Sequence, residues 1–214
     1  MPVCFITRAL QITWNARGES KNYPDAHFYY LGSEGNVTVE DIKGYLDDGT
    51  DSNENRLGAV RDIGFALEAA SVDGDALILA GDNLLDFSLC TFVNYGVTHG
   101  ASCVMRYYEP DLKRLSKSGV LVIDDKDRVE VMQEKPSVPL SNWCCPPFYF
   151  LTRGDTKRVF EAILDGCNAD APGGFIEWLV SRSLVYAMEM PGKRYDIGTL
   201  ESYERVKREY VMPF

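Results

Sequence analysis

Asp75-Ala76-Leu77-Ile78-Leu79-Ala80-Gly81-Asp82-Asn83 is an apolar run that ends in a glycine and two polar residues. A run that is apolar on both faces predicts a central strand with helices packed on each side of a sheet. In open α/β sheets, ligands bind outside the carboxyl ends of the strands. The run therefore predicts a buried strand that carries Asp82 and Asn83 to a ligand-binding edge.

Strand-like and helical segments alternate on both sides of this run. Short apolar segments predict strands at 3–7, 102–108, 120–123, 129–133, 148–151 and 185–190, of which the third and fourth form a hairpin. Amphipathic segments predict helices at 54–70, 88–99, 109–118, 155–164, 175–181 and 200–210. The alternation predicts one α/β domain over 1–214. We expect three α/β/α layers around a mixed, mostly parallel, Rossmann-like sheet.

The composition excludes several classes of protein. The chain has 214 residues, 32 of them acidic and 22 basic, and a net charge of −10. Because binding to nucleic acid or to an anionic membrane needs clustered Lys and Arg, neither partner is expected. No apolar run reaches the length of a membrane span, and the six cysteines form no Cys-x-x-Cys pair. Reduced thiols in a cytoplasmic protein are therefore expected.

Two acidic residues are predicted at element ends, Asp82 after the buried strand and Asp196 within Tyr195-Asp196-Ile197-Gly198-Thr199. Carboxylates suit Mg²⁺, which commonly takes one or two of them together with substrate phosphates. Two other interpretations stay open. Asp82 is a turn residue that caps the next helix, or Thr199 caps the last helix and leaves Asp196 in a loop. Whether the two carboxylates converge on one metal depends on strand pairing, which the residue pattern does not reveal.

A third polar segment, Gln133-Glu134-Lys135-Pro136, ends the second strand of the hairpin. The proline that follows Lys135 predicts an extended backbone at that lysine. Lys is a compact charge suited to a phosphate, and Glu accepts hydrogen bonds from hydroxyls. The alternative interpretation is a solvated pair on the surface.

In this order, the three polar segments resemble the sugar-1-phosphate nucleotidyltransferases, the family of thymidylyl-, uridylyl- and cytidylyltransferases that make nucleotide sugars. The resemblance covers residues 48 to 207. Further segments that agree with the family are Asp48-Gly49-Thr50-Asp51-Ser52-Asn53-Glu54 leading into Arg56-Leu57-Gly58, then Lys117-Ser118-Gly119-Val120, then Asn168-Ala169-Asp170-Ala171-Pro172-Gly173 leading into Phe175-Ile176-Glu177-Trp178-Leu179.

The resemblance implies a nucleotidyltransferase fold and transfer of a nucleotidyl group from a nucleoside triphosphate to a sugar 1-phosphate, or to another phosphorylated alcohol. It implies Mg²⁺ held by Asp82 and Asp196, with catalytic roles for both and for Lys135. The residues implied on the substrate side are Leu57 and Gly58 at the base, Gly119 and Glu134 at the sugar, Lys135 at the sugar phosphate, and Asn83.

Relatives also carry Gly-Gly-x-Gly-Thr-Arg-Leu after the first strand, where backbone amides hold the triphosphate, and this sequence contains no such segment. The chain is therefore expected to begin near the family's second strand and to transfer nucleotidyl groups weakly or not at all. The segment Cys144-Cys145-Pro146-Pro147-Phe148-Tyr149 also departs from the Thr-Gly that many relatives carry before that strand.

Three alternatives stay open at this point. The chain is a fragment of an active enzyme, a non-catalytic module that binds a sugar phosphate or nucleotide, or a metal-dependent glycosyltransferase. A glycosyltransferase also uses an acidic motif after a strand, but Glu134-Lys135-Pro136 and the segment around Asp196 argue against it. Assembly into a homo-oligomer is likewise open.

Overall fold

The computed structural model describes residues 3–7, 27–31, 44–46, 54, 56–197 and 199–210. The expected position of the glycine-rich loop, the segment 48–53 and Gly198 lie outside the described residues. Within them the strands are β1 (Val3–Thr7), β2 (His27–Leu31), β3 (Gly44–Leu46), β4 (Asp75–Leu79), β5 (Asn83–Leu85), β6 (Ser102–Tyr108), β7 (Gly119–Ile123), β8 (Val129–Glu134), β9 (Trp143–Cys145), β10 (Phe148–Leu151), β11 (Val185–Glu189) and β12 (Arg194–Asp196). The helices are α1 (Ala59–Ala69), α2 (Cys90–His99), α3 (Leu112–Leu115), α4 (Arg153–Leu164), α5 (Gly173–Leu179) and α6 (Leu200–Glu209).

The main sheet is mixed, as expected, in the order β3-β2-β1-β4-β10-β6-β9-β7-β8, with β11 beside β6. Strands β1 to β4 pair in parallel, as do β6 and β11. The pairs that involve β10, β9 and the β7–β8 hairpin are antiparallel, so the sheet is less parallel than expected. Loop length explains the hairpin, because the link 124–128 is too short for the crossover that parallel neighbours need. Strands β9 and β10 both run antiparallel to β6.

Strand β1 lies between β2 and β4, which gives the 3-2-1-4 order of doubly wound sheets. The register of β1 with β4 runs from Val3↔Asp75 to Thr7↔Leu79. The expectation that the chain begins near the family's second strand stays a prediction.

Strand β4 is buried along its whole length, as the apolar run predicts. Its alternate residues enter two separate cores: Ala76 and Ile78 join one, and Leu77 and Leu79 join the other. Helices α1, α4 and α5 pack on the first core, and α2 packs on the second. Each fully buried Leu or Phe in these cores contributes about 1.5–3 kcal/mol. Helices therefore cover both faces of the sheet, which confirms the three-layer architecture.

Several predicted boundaries differ from the structure. The helix predicted at 109–118 is reduced to α3, because the Glu109 amide donates to the Asn142 carbonyl at 2.9 Å and Asp111 is the N-cap. The sequence did not predict strands β2, β3, β5, β9 and β12. All but β2 have three residues, too few to show a period of two. Strand β2 lies in the stretch 15–36, where glycines and a proline interrupt any period.

Candidate functional site

Strand register brings the ends of five strands to one edge of the sheet. β4 ends at Leu79, which pairs with Phe148 at the start of β10. Further along the edge, Gly119 at the start of β7 pairs with both Cys145 and Glu134, the last residues of β9 and β8. The segments that follow β4, β8 and β9 therefore meet above the same edge, where ligands of α/β sheets bind.

The two acidic residues converge at one end of this edge. β5 and β12 form a small antiparallel ladder in which Asp196 is paired with Asn83, the residue after Asp82. The Ile197 amide also donates to the Asp82 carbonyl at 2.7 Å. Both carboxylates are exposed to solvent. The ladder thus joins two segments whose proximity the sequence could not reveal.

The alternative that Asp82 caps a helix does not hold, because the chain enters β5 directly after it. The Cys90 amide at the start of α2 instead donates to the Ser88 hydroxyl at 3.1 Å. Thr199 does cap α6, with a reciprocal capping box to Ser202. Asp196 is nevertheless not a loop residue, because it is the last residue of β12 and lines the cleft described below.

Arg194 lies beside Asn83 and Asp196 and is a site residue that the sequence did not predict. Its Nη1 donates to Asn83 Oδ1 at 2.7 Å and lies 3.6 Å from Asp196 Oδ2. Its guanidinium lies 5.7 Å from the centre of the Tyr107 ring. The sequence did contain a signal for Arg194. Residues two apart on a strand share a face, and Arg194 precedes the candidate Asp196 by two positions.

The segment after β8 differs from its prediction in backbone conformation. Lys135 has a φ of 50°, in the left-handed region, although the following proline predicted an extended residue. Its amide donates to the Ser118 carbonyl at 3.1 Å, and this bond holds the turn. Backbone strain of this kind clusters at ligand-binding and catalytic sites.

Glu134 is half-buried beside Lys135 and lies against the backbone of Gly173. A Cβ at Gly173 would overlap the Glu134 carboxylate, so a larger residue there would require the Glu134 side chain to move. Burial raises the pKa of the Glu134 carboxyl above its usual range, with Lys135 opposing and Glu177 adding to the shift. Glu134 is therefore a carboxylate in a constrained, partly desolvated position and not a solvated surface residue.

All these groups line one cleft of about 300 Å³. It brings together six of the predicted site residues: Asp82, Asn83, Gly119, Glu134, Lys135 and Asp196. The residues lining it that were not predicted are Tyr107, Lys117, Ser118, Cys145, Pro146, Pro147, Tyr149, Ala171, Pro172, Gly173 and Arg194. The lining carries three carboxylates and three cationic side chains, so charges of opposite sign balance within it.

Leu57 and Gly58 do not line this cleft. Gly58 has a φ of 96°, and a Cβ there would lie 2.7 Å from the Ala169 carbonyl oxygen. The backbone conformation therefore requires glycine at this position without any ligand. The prediction that Leu57 and Gly58 contact a base stays a prediction.

Two absences bear on the site. Within residues 56–197 and the other described stretches, no group of three or more His, Cys, Asp or Glu side chains is placed to hold a metal ion. In the same part of the chain, no helix has the length and apolar character needed to cross a membrane.

Sequence comparison finds relatives among sugar-phosphate enzymes. The model of a family described as "Nucleotidyl transferase" matches residues 32–212. Glucose-1-phosphate adenylyltransferases from Fervidobacterium nodosum and Thermotoga neapolitana are each 27% identical to this chain, over 139 and 143 residues. Each match covers 64% of this chain, and the chain spans about a third of these relatives, 34% and 33% of their lengths.

Solved structures share the fold over nearly the whole chain. A UDP-glucose pyrophosphorylase complexed with UDP-glucose superposes with a TM-score of 0.74 at 16% identity, covering 98% of both chains. A putative glucose-1-phosphate thymidylyltransferase from Bacillus anthracis, in complex with a sucrose, gives 0.69 at 14% identity, covering 98% of this chain and 95% of the other. These likenesses confirm the expected nucleotidyltransferase fold.

Proposed function

This chain belongs to the nucleotidyl transferase family, and from that premise we propose that it binds a sugar 1-phosphate and a nucleoside triphosphate for nucleotidyl transfer. The products would be a nucleotide sugar and pyrophosphate. One observation carries the proposal. A single cleft presents Asp82 and Asp196 together with Glu134 and Lys135, as a reaction between two phosphorylated substrates requires.

Asp82 and Asp196 are the residues that would hold Mg²⁺. The donor set fits, because both are exposed carboxylates on rigid strand ends that the β5–β12 ladder brings together. Mg²⁺ is usually bound by one or two carboxylates plus substrate phosphates, so the lack of a third protein ligand in the described residues agrees with it. When bound, the ion supplies positive charge to the phosphate oxygens.

The reaction asks the protein mainly for alignment and charge neutralisation. A phosphate monoester has a second pKa near 6, so the sugar phosphate attacks already ionised and no general base is needed. Its oxygen forms a bond to the α-phosphorus while the bond from that phosphorus to the bridging oxygen breaks, and pyrophosphate leaves with the electron pair. Lys117, Lys135 and Arg194 line the cleft and can offset the charge of the phosphates.

Glu134 and Gly119 are assigned to the sugar. A Glu134 carboxylate accepts hydrogen bonds from hydroxyls, and it lies against Gly173 in the cleft. Gly119 is buried at the start of β7 and exposes backbone, not a side chain, to the cleft. Lys135, next to both, is assigned to the sugar phosphate.

The lack of a glycine-rich phosphate-binding segment in the sequence makes triphosphate binding the weakest part of the proposed cycle. This observation favours a second candidate function, a module that binds the sugar phosphate or nucleotide sugar with little turnover. Both candidates share the same cleft and the same acceptor residues. For both candidate functions we propose a cytoplasmic location.

The test measures binding and turnover separately. Calorimetry with Mg²⁺ and glucose 1-phosphate, nucleoside triphosphates or nucleotide sugars reports binding, and pyrophosphate release reports transfer. We expect measurable sugar-phosphate binding with slow pyrophosphate release. Asp82→Asn and Asp196→Asn should each weaken Mg²⁺-dependent binding at least about tenfold, as loss of a charged ligand does.

Asp125→Asn is the matched control, because Asp125 is an exposed carboxylate in the β7–β8 turn. Equal affinities for the two site variants and this control would overturn the metal assignment. Binding of none of the phosphorylated ligands would overturn the proposed function.

A further inference from the structure

The segment Cys145-Pro146-Pro147 forms the floor of the cleft between its two charged ends. On one side the Pro147 carbonyl accepts from the Ala80 amide at 3.1 Å, just before Asp82. On the other side Cys145 pairs with Gly119, the strand neighbour of Glu134. A substrate that reaches both the acidic pair and Glu134 must therefore lie across this floor.

The floor offers little to a hydroxyl group. Proline has no N–H, so Pro146 and Pro147 donate no hydrogen bond. Their carbonyls already accept, Pro146 from the Phe148 amide at 2.8 Å and Pro147 from Ala80. The Cys145 thiol is directed to the Pro146 carbonyl at 3.8 Å, and burial raises its pKa, so it stays neutral. Apart from one remaining lone pair on the Pro147 carbonyl, the two prolines offer apolar ring surface.

Ala171 and Pro172, which also line the cleft, likewise offer few hydrogen-bonding groups. Pro172 also lacks an N–H, and its carbonyl accepts from the Phe175 amide at 3.3 Å. The Ala171 carbonyl accepts from the Gly174 amide at 3.0 Å. Among the other groups of the lining, Glu134 and the hydroxyls of Tyr107 and Tyr149 can bind the polar groups of an acceptor. Burial raises the pKa of both tyrosines, so their hydroxyls stay protonated.

A hydroxyl that is desolvated against such a surface loses its water and gains no partner, which is unfavourable. Building on the proposed function, we propose that the acceptor is a deoxysugar 1-phosphate that presents C–H or methyl, not hydroxyl, to Pro146 and Pro147. Glu134 would then orient the remaining hydroxyls, and the deoxy position would be selected by the proline floor.

The test uses the full chain, Mg²⁺, and calorimetry with glucose 1-phosphate and its 2-, 3-, 4- and 6-deoxy analogues. We expect at least one analogue to bind about tenfold more tightly than glucose 1-phosphate, the scale on which such pockets discriminate. If glucose 1-phosphate binds most tightly of the five, the inference is wrong while the proposed function stands. If none of the five binds, the inference fails, and the proposed function fails with it when nucleoside triphosphates and nucleotide sugars do not bind either.

Two variants locate the selectivity. Pro146→Ala and Pro147→Ala each restore one N–H to the floor, and we expect each to reduce the preference for the deoxy analogue by about threefold or more. Pro139→Ala, outside the cleft, is the control and should leave the preference unchanged. A deoxy preference that both floor variants retain in full would overturn the assignment to the prolines. The comparison of glucose 1-phosphate with its deoxy analogues uses the unaltered chain, so it tests the inference even if a proline variant fails to fold.

Discussion

The Nη1 atom of Arg194 lies 2.7 Å from Oδ1 of Asn83, and this bond joins residues 111 positions apart. Because a guanidinium only donates, it fixes the Asn83 amide with its nitrogen toward Asp82, where Nδ2 donates to Oδ1 at 2.6 Å. The same Nη1 lies 3.6 Å from the Asp196 carboxylate. One cationic side chain therefore holds the amide that contacts Asp82 and forms an ion pair with Asp196.

We expect Arg194→Gln to weaken Mg²⁺-dependent binding of sugar phosphate about tenfold, because both the charge and the fixed amide are lost. Arg194→Lys keeps the charge but not the planar fork, so it should give an intermediate affinity. Calorimetry measures both. Arg128→Gln, at an exposed arginine in the β7–β8 turn, is the control, and equal affinities for Arg194→Gln and this control would contradict the role of Arg194.

Because Lys135 has a left-handed backbone, substitutions there should change the free energy of unfolding and the sugar-phosphate affinity in different ways. We expect Lys135→Gly and Lys135→Ala to lose sugar-phosphate affinity equally, since both remove the cation. Lys135→Gly should be more stable than Lys135→Ala by about 1 kcal/mol, because glycine adopts positive φ without the Cβ clash. Urea unfolding measures the difference, and a more stable alanine variant would show that the turn is not strained.

The raised pKa of Glu134 predicts a pH dependence of stability. The folded state favours the protonated form, so this carboxyl's contribution to stability is fully present below its unfolded pKa and is lost as pH rises through the folded pKa. Glu134→Gln stays neutral throughout. We expect the variant to be more stable than the unaltered chain at pH 7, with the gain disappearing in acid.

Urea unfolding at a series of pH values measures this gain, and calorimetry at pH 7 should show weaker acceptor binding for Glu134→Gln. A stability gain that is the same at pH 4 and pH 7 would argue against burial of a charged Glu134.

The backbone at Gly58 predicts a structural cost that is independent of ligand. With φ at 96° and a Cβ 2.7 Å from the Ala169 carbonyl oxygen, Gly58→Ala should lower the free energy of unfolding by about 2 kcal/mol or more. Gly154→Ala, where a Cβ meets no atom closer than 3.9 Å, is the control and should be neutral or stabilising. Thermal unfolding distinguishes them.

The base-pocket prediction for Leu57 is tested by Leu57→Ala, since this side chain is 37% exposed and contributes little to the core. Loss of nucleotide affinity with unchanged stability would support a contact with the base. Unchanged nucleotide affinity would contradict it.

Local patterns in the sequence were sufficient for much of the fold. The two-sided burial of β4, the β7–β8 hairpin and the position of β10 follow from apolar residues and turn residues that are close in sequence. These features depend on a residue and its neighbours along the chain, because side-chain periodicity and turn chemistry are local. The same locality explains why three-residue strands such as β5 and β12 escaped prediction.

The arrangement of the site depends on tertiary structure. Asp82 and Asp196 meet because β5 and β12 pair in one register, and Arg194 enters the site through the same ladder. The sequence identified both carboxylates as candidates from their positions at strand ends, but not their convergence. Pairing between distant segments is set by the packing of the whole sheet, so no pattern within either segment could reveal it.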